Sequence, residues 1–237
     1  MVKSLGEHTC SFVRSWEEER KRAIDAQEKD ALAWNSDVAR QDAIVSHAIE
    51  QNEARNKRIL ESVISAWIGW GVPRRVAEIL PHAQSTEAVS SVSDFVDGPG
   101  TFLILAGGVG CGKTVAACSA AKRGGAFFFV DALDLVKVGL YGERAEIFWE
   151  HAEGAEMLVL DDIGVEPRDE KGYAQAALED LINKRYNSKR KTILTTNLSA
   201  DVFRSKYCQG PGGGRLGDRL REAGEWVALT GKSMRKG

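Results

Sequence analysis

Residues 101 to 114 read TFLILAGGVGCGKT. An apolar, β-prone run of Phe102, Leu103, Ile104 and Leu105 stops at Gly107, and from there the spacing is Gly107-x-x-x-x-Gly112-Lys113-Thr114. That is the full phosphate-cradling P-loop pattern, with a strand before it and the helix-compatible VAACSAAKR after it. Glycines let the backbone curl so that successive N–H groups point at a polyphosphate, and the following helix adds its positive N-terminal end. Gly107, Gly108, Val109, Gly110, Cys111, Gly112, Lys113, Thr114 and Val115 therefore form the expected nucleotide cradle. Lys113 reaches the β- and γ-phosphates, and the Thr114 hydroxyl ligates Mg²⁺. A glycine-rich turn with a chance lysine would lack the strand and the helix on either side.

Composition limits the other classes. The chain has 237 residues and a formal net charge of −2, so bulk charge does not announce a nucleic-acid binder and any basic surface must be local. Cys10, Cys111, Cys118 and Cys208 show no metal-ligand spacing, and one lies inside the phosphate loop. Four reduced thiols are expected, which points to the cytoplasm. MVKSLGEHTCSF has no apolar h-region, and no run approaches the ~18 apolar residues of a membrane span, so no membrane partner is expected.

Residues 13 to 68 contain neither proline nor glycine and are rich in helix formers, which predicts one or two long helices. Trp34, Val38, Val45 and Ile49 make a sparse stripe, but EQNEARNKR at 50 to 58 is almost wholly polar, so a continuous heptad seam fails. Residues 1–69 read as a helical arm, either a solvated helix or a partner-binding element anchored by Trp16 and Trp34. GWGVP, from Gly69 to Pro73, breaks the helix and marks a boundary or hinge, with the second domain at 70–237. A short helical piece RRVAEILPH follows, then a helix over TEAVSSVSDFV capped by Ser85 or Thr86. Continuous apolar runs at 101–106, 126–130, 157–161, 192–196 and 226–230 alternate with helices. That predicts an α/β fold with a five-stranded parallel sheet buried on both faces.

Two carboxylates, Asp161 and Asp162, end the run MLVLDD at the edge where open α/β sheets bind ligands. Downstream of a P-loop, Asp161 takes the metal role and Asp162 polarises the attacking water. TILTTN puts Asn197 near the same edge, where an amide can orient water or sense the γ-phosphate. A glycine loop then leads into a helix carrying Arg215, Arg219 and Arg221, and any of these could neutralise transferring phosphoryl charge from a neighbouring subunit. The alternative is a basic surface helix pairing with Asp218 and Glu222. Arg235 could reach the nucleotide in cis. KRYNSKRK at 184–191 reads as a basic patch on a solvated helix end.

GGVGCGKT, LVLDDIG followed by LINKRY, TILTTNLS and RLGDRLREAG…VALTGKSMR resemble the AAA+ ATPases of the DnaC-type helicase-loader and IstB transposition-helper family. GVPRR resembles that family's entry segment, and the likeness spans roughly residues 70 to 235. The resemblance implies an Mg²⁺- and ATP-dependent assembly with a P-loop AAA+ core and no separate helical lid, in keeping with the short tail after the last strand. It matches Arg219 to a trans-acting arginine finger, Asn197 to the first sensor and Arg235 to the second. Cys111 departs from the usual Thr or Ser of the loop, and the zinc-binding cysteine cluster of some loaders is missing.

Function follows as an expectation. The family reading is an ATPase that assembles into a ring or spiral, binds single-stranded DNA and places a hexameric replicative helicase on it, gripping the helicase with the arm. Lys137, Tyr141 and Arg144, in the segment after the second strand, are then candidate DNA contacts. One alternative is a transposition helper acting on target DNA with a transposase. Another is a nucleotide-switched interaction module with little turnover.

Overall fold

The computed structural model describes the backbone over residues 3–165, 172–207 and 213–230, and side chains over 18–138, 142–165, 172–207 and 216–230. The N-terminal sequence forms one helix, α1 (Lys3–Gly69), of 67 residues. The chain divides into two units, Met1–Ile59 and Leu60–Gly237. In the first, every side chain from Glu18 to Ile59 is exposed, including Trp34 at 71%.

The second unit begins with the last turns of α1, where the helix becomes part of a core. Trp67 is buried, and its indole Nε1 donates to the Ala121 carbonyl at 3.3 Å. GWGVP then runs beside a strand, because the Phe129 N–H donates to the Trp70 carbonyl at 2.9 Å. Gly71 has φ +93°, and a Cβ there would stand 2.5 Å from the Phe129 carbonyl oxygen. The helix does end where glycine predicts, but the segment after it is fastened to the sheet. Helices α2 (Arg74–Ile79) and α3 (Glu87–Asp97) follow, and the Thr86 hydroxyl caps α3 by accepting from the Val89 N–H at 3.3 Å.

Five strands form the sheet: β1 (Phe102–Gly107), β2 (Phe127–Asp131), β3 (Met157–Asp161), β4 (Lys191–Thr196) and β5 (Gly224–Leu229). Their order is β2-β3-β4-β1-β5, and all pairs are parallel. Between them lie α4 (Lys113–Cys118), α5 (Ala132–Tyr141), α6 (Ala145–Gly154), α7 (Tyr173–Asn187), α8 (Ala200–Tyr207) and α9 (Gly213–Ala223). Alternate residues of each strand feed two cores. Leu103, Leu105, Val159 and Ile193 pack with Trp67, Phe95 and Ala117 on one face. Phe102, Ile104, Leu158, Leu160 and Leu194 pack with Leu181, Phe203 and Leu220 on the other. Full burial of such a side chain contributes roughly 1.5–3 kcal/mol, so continuous apolar strands are what a sheet covered on both faces requires.

KRYNSKRK departs from its reading as a solvated helix end. Arg185 is fully buried and is held by neutral acceptors rather than by a carboxylate among the described residues. Its guanidinium donates to the Thr192 hydroxyl at 2.8 Å and to the carbonyls of Ala152, Glu153, Ala155 and Lys191 at 2.9, 3.2, 2.9 and 2.6 Å. Burial, with a smaller contribution from Arg190, pulls its pKa down to about 9, so it stays charged at neutral pH. Lys191 Nζ donates to the carbonyls of Phe95, Gly98 and Gly100. These cations tie helix ends and loops to the amino edge of the sheet. None of the described helices is long and apolar enough to cross a membrane.

Candidate functional site

At the opposite edge, β1 delivers the glycine loop. Gly110 and Gly112 have φ of 84° and 90°, conformations that glycine adopts without a steric cost, and Gly112 caps α4. Gly107 must also lack a side chain, since a Cβ would meet the Leu229 carbonyl oxygen at 2.6 Å and Cys111 Sγ at 3.0 Å. The first N–H groups of α4 have no intrahelical acceptor and are donors for an anion. Lys113 is buried, and its Nζ donates to the carbonyls of Gly107 and Gly108, each at 2.9 Å, and to Asn197 Oδ1 at 2.8 Å. Cys111, the departure in the loop, lies against the same ammonium with Sγ at 3.8 Å.

Register brings the carboxylates to the loop. Because β3 pairs with β4 and β4 with β1, the residues that end each strand converge at one edge. Thr114 Oγ1 lies 3.1 and 3.0 Å from the two oxygens of Asp161 and donates to that carboxylate. Asn197 Nδ2 donates to Asp162 Oδ1 at 3.3 Å, so Asn197 joins Lys113 to Asp162. Lys113, Thr114, Asp161, Asp162 and Asn197 thus form one connected group.

Two further residues join this group without a motif of their own in the sequence. Asp131 ends β2, pairs in register with Asp161 and caps α5 by accepting from the Leu133 N–H at 2.8 Å. Carboxylate oxygens of Asp131, Asp161 and Asp162 all lie within 4.8 Å of one another. The signal that could have found Asp131 is FFFVD, an apolar strand ending in a carboxylate just as LVLD does. Thr195, on β4, donates to Asp161 Oδ1 at 2.6 Å and accepts from the Asp162 N–H at 2.9 Å.

Burial, then the charges of Asp162 and Asp131, raise the Asp161 pKa to about 6, while hydrogen bonds from Thr195 and Thr114 act in the opposite direction. A hard divalent cation takes oxygen ligands, and the Thr114 hydroxyl and the carboxylates of Asp131, Asp161 and Asp162 are all oxygen donors. The residues fit Mg²⁺, with Thr114 and Asp161 as the natural holders.

Other sequence-predicted residues lie apart from this group. Arg219 stands on α9 with its guanidinium carbon 4.2 Å from the centre of the Tyr186 ring and its Nη1 3.7 Å from Glu222. Since α9 ends where β5 starts, and Gly224 pairs with Phe102 at the beginning of β1, Arg219 lies toward the amino edge, away from its own phosphate loop. Arg221 pairs with Asp218 at 3.1 Å. Lys137 on α5 and Arg144 before α6 are exposed. Arg235 lies outside the described residues, as do the side chains of Trp16, Tyr141 and Arg215.

Solved structures share this architecture. The crystal structure of the DnaC helicase loader matches with a TM-score of 0.51 at 24% identity, covering 64% of this chain and 96% of that one. The crystal structure of DnaI matches with a TM-score of 0.57 at 21% identity, over 69% of this chain and 94% of that one. AMPPCP-bound DnaA from Aquifex aeolicus matches with a TM-score of 0.50 at 21% identity, over 63% of this chain and 49% of that one. At these identities the likeness is one of fold, a P-loop AAA+ core with a five-stranded parallel sheet, and among the described residues no helix follows β5. No curated protein matches the chain. A family model described as IstB-like ATP binding protein matches residues 81–237, which takes in the phosphate loop, both carboxylates, Asn197 and Arg219. The chain belongs to the IstB-like ATP-binding protein family.

Proposed function

We propose that this chain is an Mg²⁺-dependent ATPase that assembles on single-stranded DNA and loads a hexameric replicative helicase, with residues 1–69 as the arm that holds the helicase. The observation that carries the ATPase part is the contact series Lys113–Asn197–Asp162 beside Thr114–Asp161, in a family of ATP-binding proteins. The loader part is supported by the motif resemblance and by an arm whose Trp34, Val38, Val45 and Ile49 lie exposed along one helix.

The loop N–H groups and Lys113 bind the phosphates, exchanging the Gly107 and Gly108 carbonyls for phosphate oxygens at Nζ. Mg²⁺, held by Thr114 and Asp161, would offset the negative charge that builds on the phosphate oxygens during transfer. Asp162 accepts the proton of the attacking water, and Asn197 orients that water by donating and accepting at once. Arg219 acts on the nucleotide of the adjacent subunit, with Arg235 in cis. Lys137, Tyr141 and Arg144 meet the DNA by phosphate attraction and stacking.

A second reading follows the IstB side of the motif resemblance, whose name the family model shares: a transposition helper that acts on target DNA with a transposase. Pull-down of the ATP-bound protein against a helicase and a transposase separates the two. Retention of helicase, lost when residues 1–59 are removed, supports loading, whereas retention of transposase alone overturns it. Phosphate release measured with and without single-stranded DNA separates both from a switch module with little turnover.

A further inference from the structure

Thr195 sits in the interior of β4, in register with Leu105 of β1, and is fully buried. Strand formation at such a position asks only for a β-branched apolar shape, which valine provides as well. Threonine adds a hydroxyl, with one proton to donate and lone pairs to accept. Both are used at the site. The proton goes to Asp161 Oδ1 at 2.6 Å, shorter than either Thr114 contact with that carboxylate. The oxygen accepts the N–H of Asp162 at 2.9 Å.

The second bond falls where the backbone needs support. Asp162 has φ +54°, in the left-handed region that a non-glycine residue occupies only when its surroundings hold it there. The Thr195 carbonyl accepts the next N–H, that of Ile163, at 2.8 Å, and the Thr196 hydroxyl donates to the Ile163 carbonyl at 2.6 Å. The end of β4 therefore grips the exit of β3 residue by residue, and the single hydroxyl of Thr195 bonds to polar groups of both aspartates.

We infer that Thr195 is a positioning residue for the ATPase reaction: its hydroxyl orients the Asp161 carboxylate toward the divalent cation and holds the Asp162 backbone so that its carboxylate meets the water. This rests on the Mg²⁺-ATPase reading above. Because Thr195 acts through Asp161 and Asp162, its loss changes cation affinity and turnover but not cation-free nucleotide binding.

The test uses the full chain with Mn²⁺ as probe, read by electron paramagnetic resonance in the presence of the β,γ-methylene analogue of ATP. Thr195→Val should weaken Mn²⁺ binding roughly 10–100-fold, the range for groups that orient metal ligands, and by linkage raise KM for the cation–ATP complex as well as lower kcat. Affinity for a fluorescent nucleotide in chelator should stay near wild type. Thr195→Ser should restore both cation affinity and kcat. Thr195→Cys, a weaker donor of similar size, should fall between, and it keeps the comparison open if the valine variant does not fold. Wild-type Mn²⁺ affinity in the valine or cysteine variant, or a serine variant as impaired as valine, overturns the inference. A wild-type protein that binds Mn²⁺ with nucleotide but releases no phosphate sinks the ATPase reading instead, and the Mn²⁺ series still decides the role of Thr195.

Discussion

The ammonium of Lys113 and the side-chain oxygen of Asn197 lie 2.8 Å apart, although 84 residues separate them in the chain. Lysine only donates and an ionised carboxylate only accepts, so the amide of Asn197 is satisfied between Lys113 and Asp162 in one orientation alone. One side chain thus connects the group proposed to bind phosphate to the group proposed to activate water.

Replacing Asn197 should separate those two roles. Asn197→Ala should leave ATP affinity close to wild type while lowering kcat by about 100–1000-fold, the scale for losing an oriented polar group at a reacting centre. Asn197→Asp places a second carboxylate beside Lys113 and Asp162, which neutralises the lysine and repels polyphosphate. ATP affinity should then fall about tenfold or more, equivalent to about 1.4 kcal/mol. Calorimetry on both variants checks this, and equal ATP affinities would contradict it.

Arg185 governs stability and not chemistry. Removing its guanidinium in Arg185→Met leaves the Thr192 hydroxyl and the carbonyls of Ala152, Glu153, Ala155 and Lys191 without this donor. Each buried orphan costs about 1–3 kcal/mol, so a loss of about 3 kcal/mol or more is expected. In a chain of this size that lowers Tm by roughly 6–12 °C. Arg185→Lys should recover only part of the loss, because an ammonium offers fewer donors in a less suitable geometry. A thermal melt within a degree or two of wild type would contradict the role assigned to Arg185.

Gly71→Ala should be among the most harmful small changes outside the site. The residue has φ +93°, and the added Cβ would lie 2.5 Å from a backbone oxygen on β2 that has little freedom to move. Backbone strain of this kind costs of order 1–3 kcal/mol, before the broken Trp70–Phe129 contact is counted. Urea denaturation reads the loss. Gly69→Ala is the control, since a Cβ added there would meet nothing within 4 Å and the change should be nearly neutral.

Local signals made most of the fold legible. The five strands begin and end within one or two residues of the runs in the sequence, because apolar continuity and glycine punctuation are local. A cap at Ser85 or Thr86, which the structure places at Thr86, and the glycine loop were legible for the same reason. What escaped depends on register between distant strands. Thr195 reads as an ordinary β-branched strand residue until β4 lies beside β3, and Asp131 carries no motif of its own and joins the site only when β2 lies beside β3. Arg185 looks like any cation in KRYNSKRK, and only the packing of α7 against the end of α6 turns it inward. Gly71 signals a break, but not that the broken segment is fastened to an edge strand.

Arg219 rests on Tyr186 at 4.2 Å, toward the amino edge of the sheet, while Asp162 and the phosphate loop lie at the carboxyl edge. The most direct measurement is therefore phosphate release from mixtures of Arg219→Ala and Asp162→Asn chains, each of which should bind ATP and turn over little alone. A mixed assembly contains interfaces where the intact Asp162 site of one chain meets the intact Arg219 of another. Turnover that appears on mixing and peaks at an intermediate ratio is the expected result. Absence of turnover at every ratio, with both variants binding ATP and assembling, would contradict a nucleotide site shared between subunits.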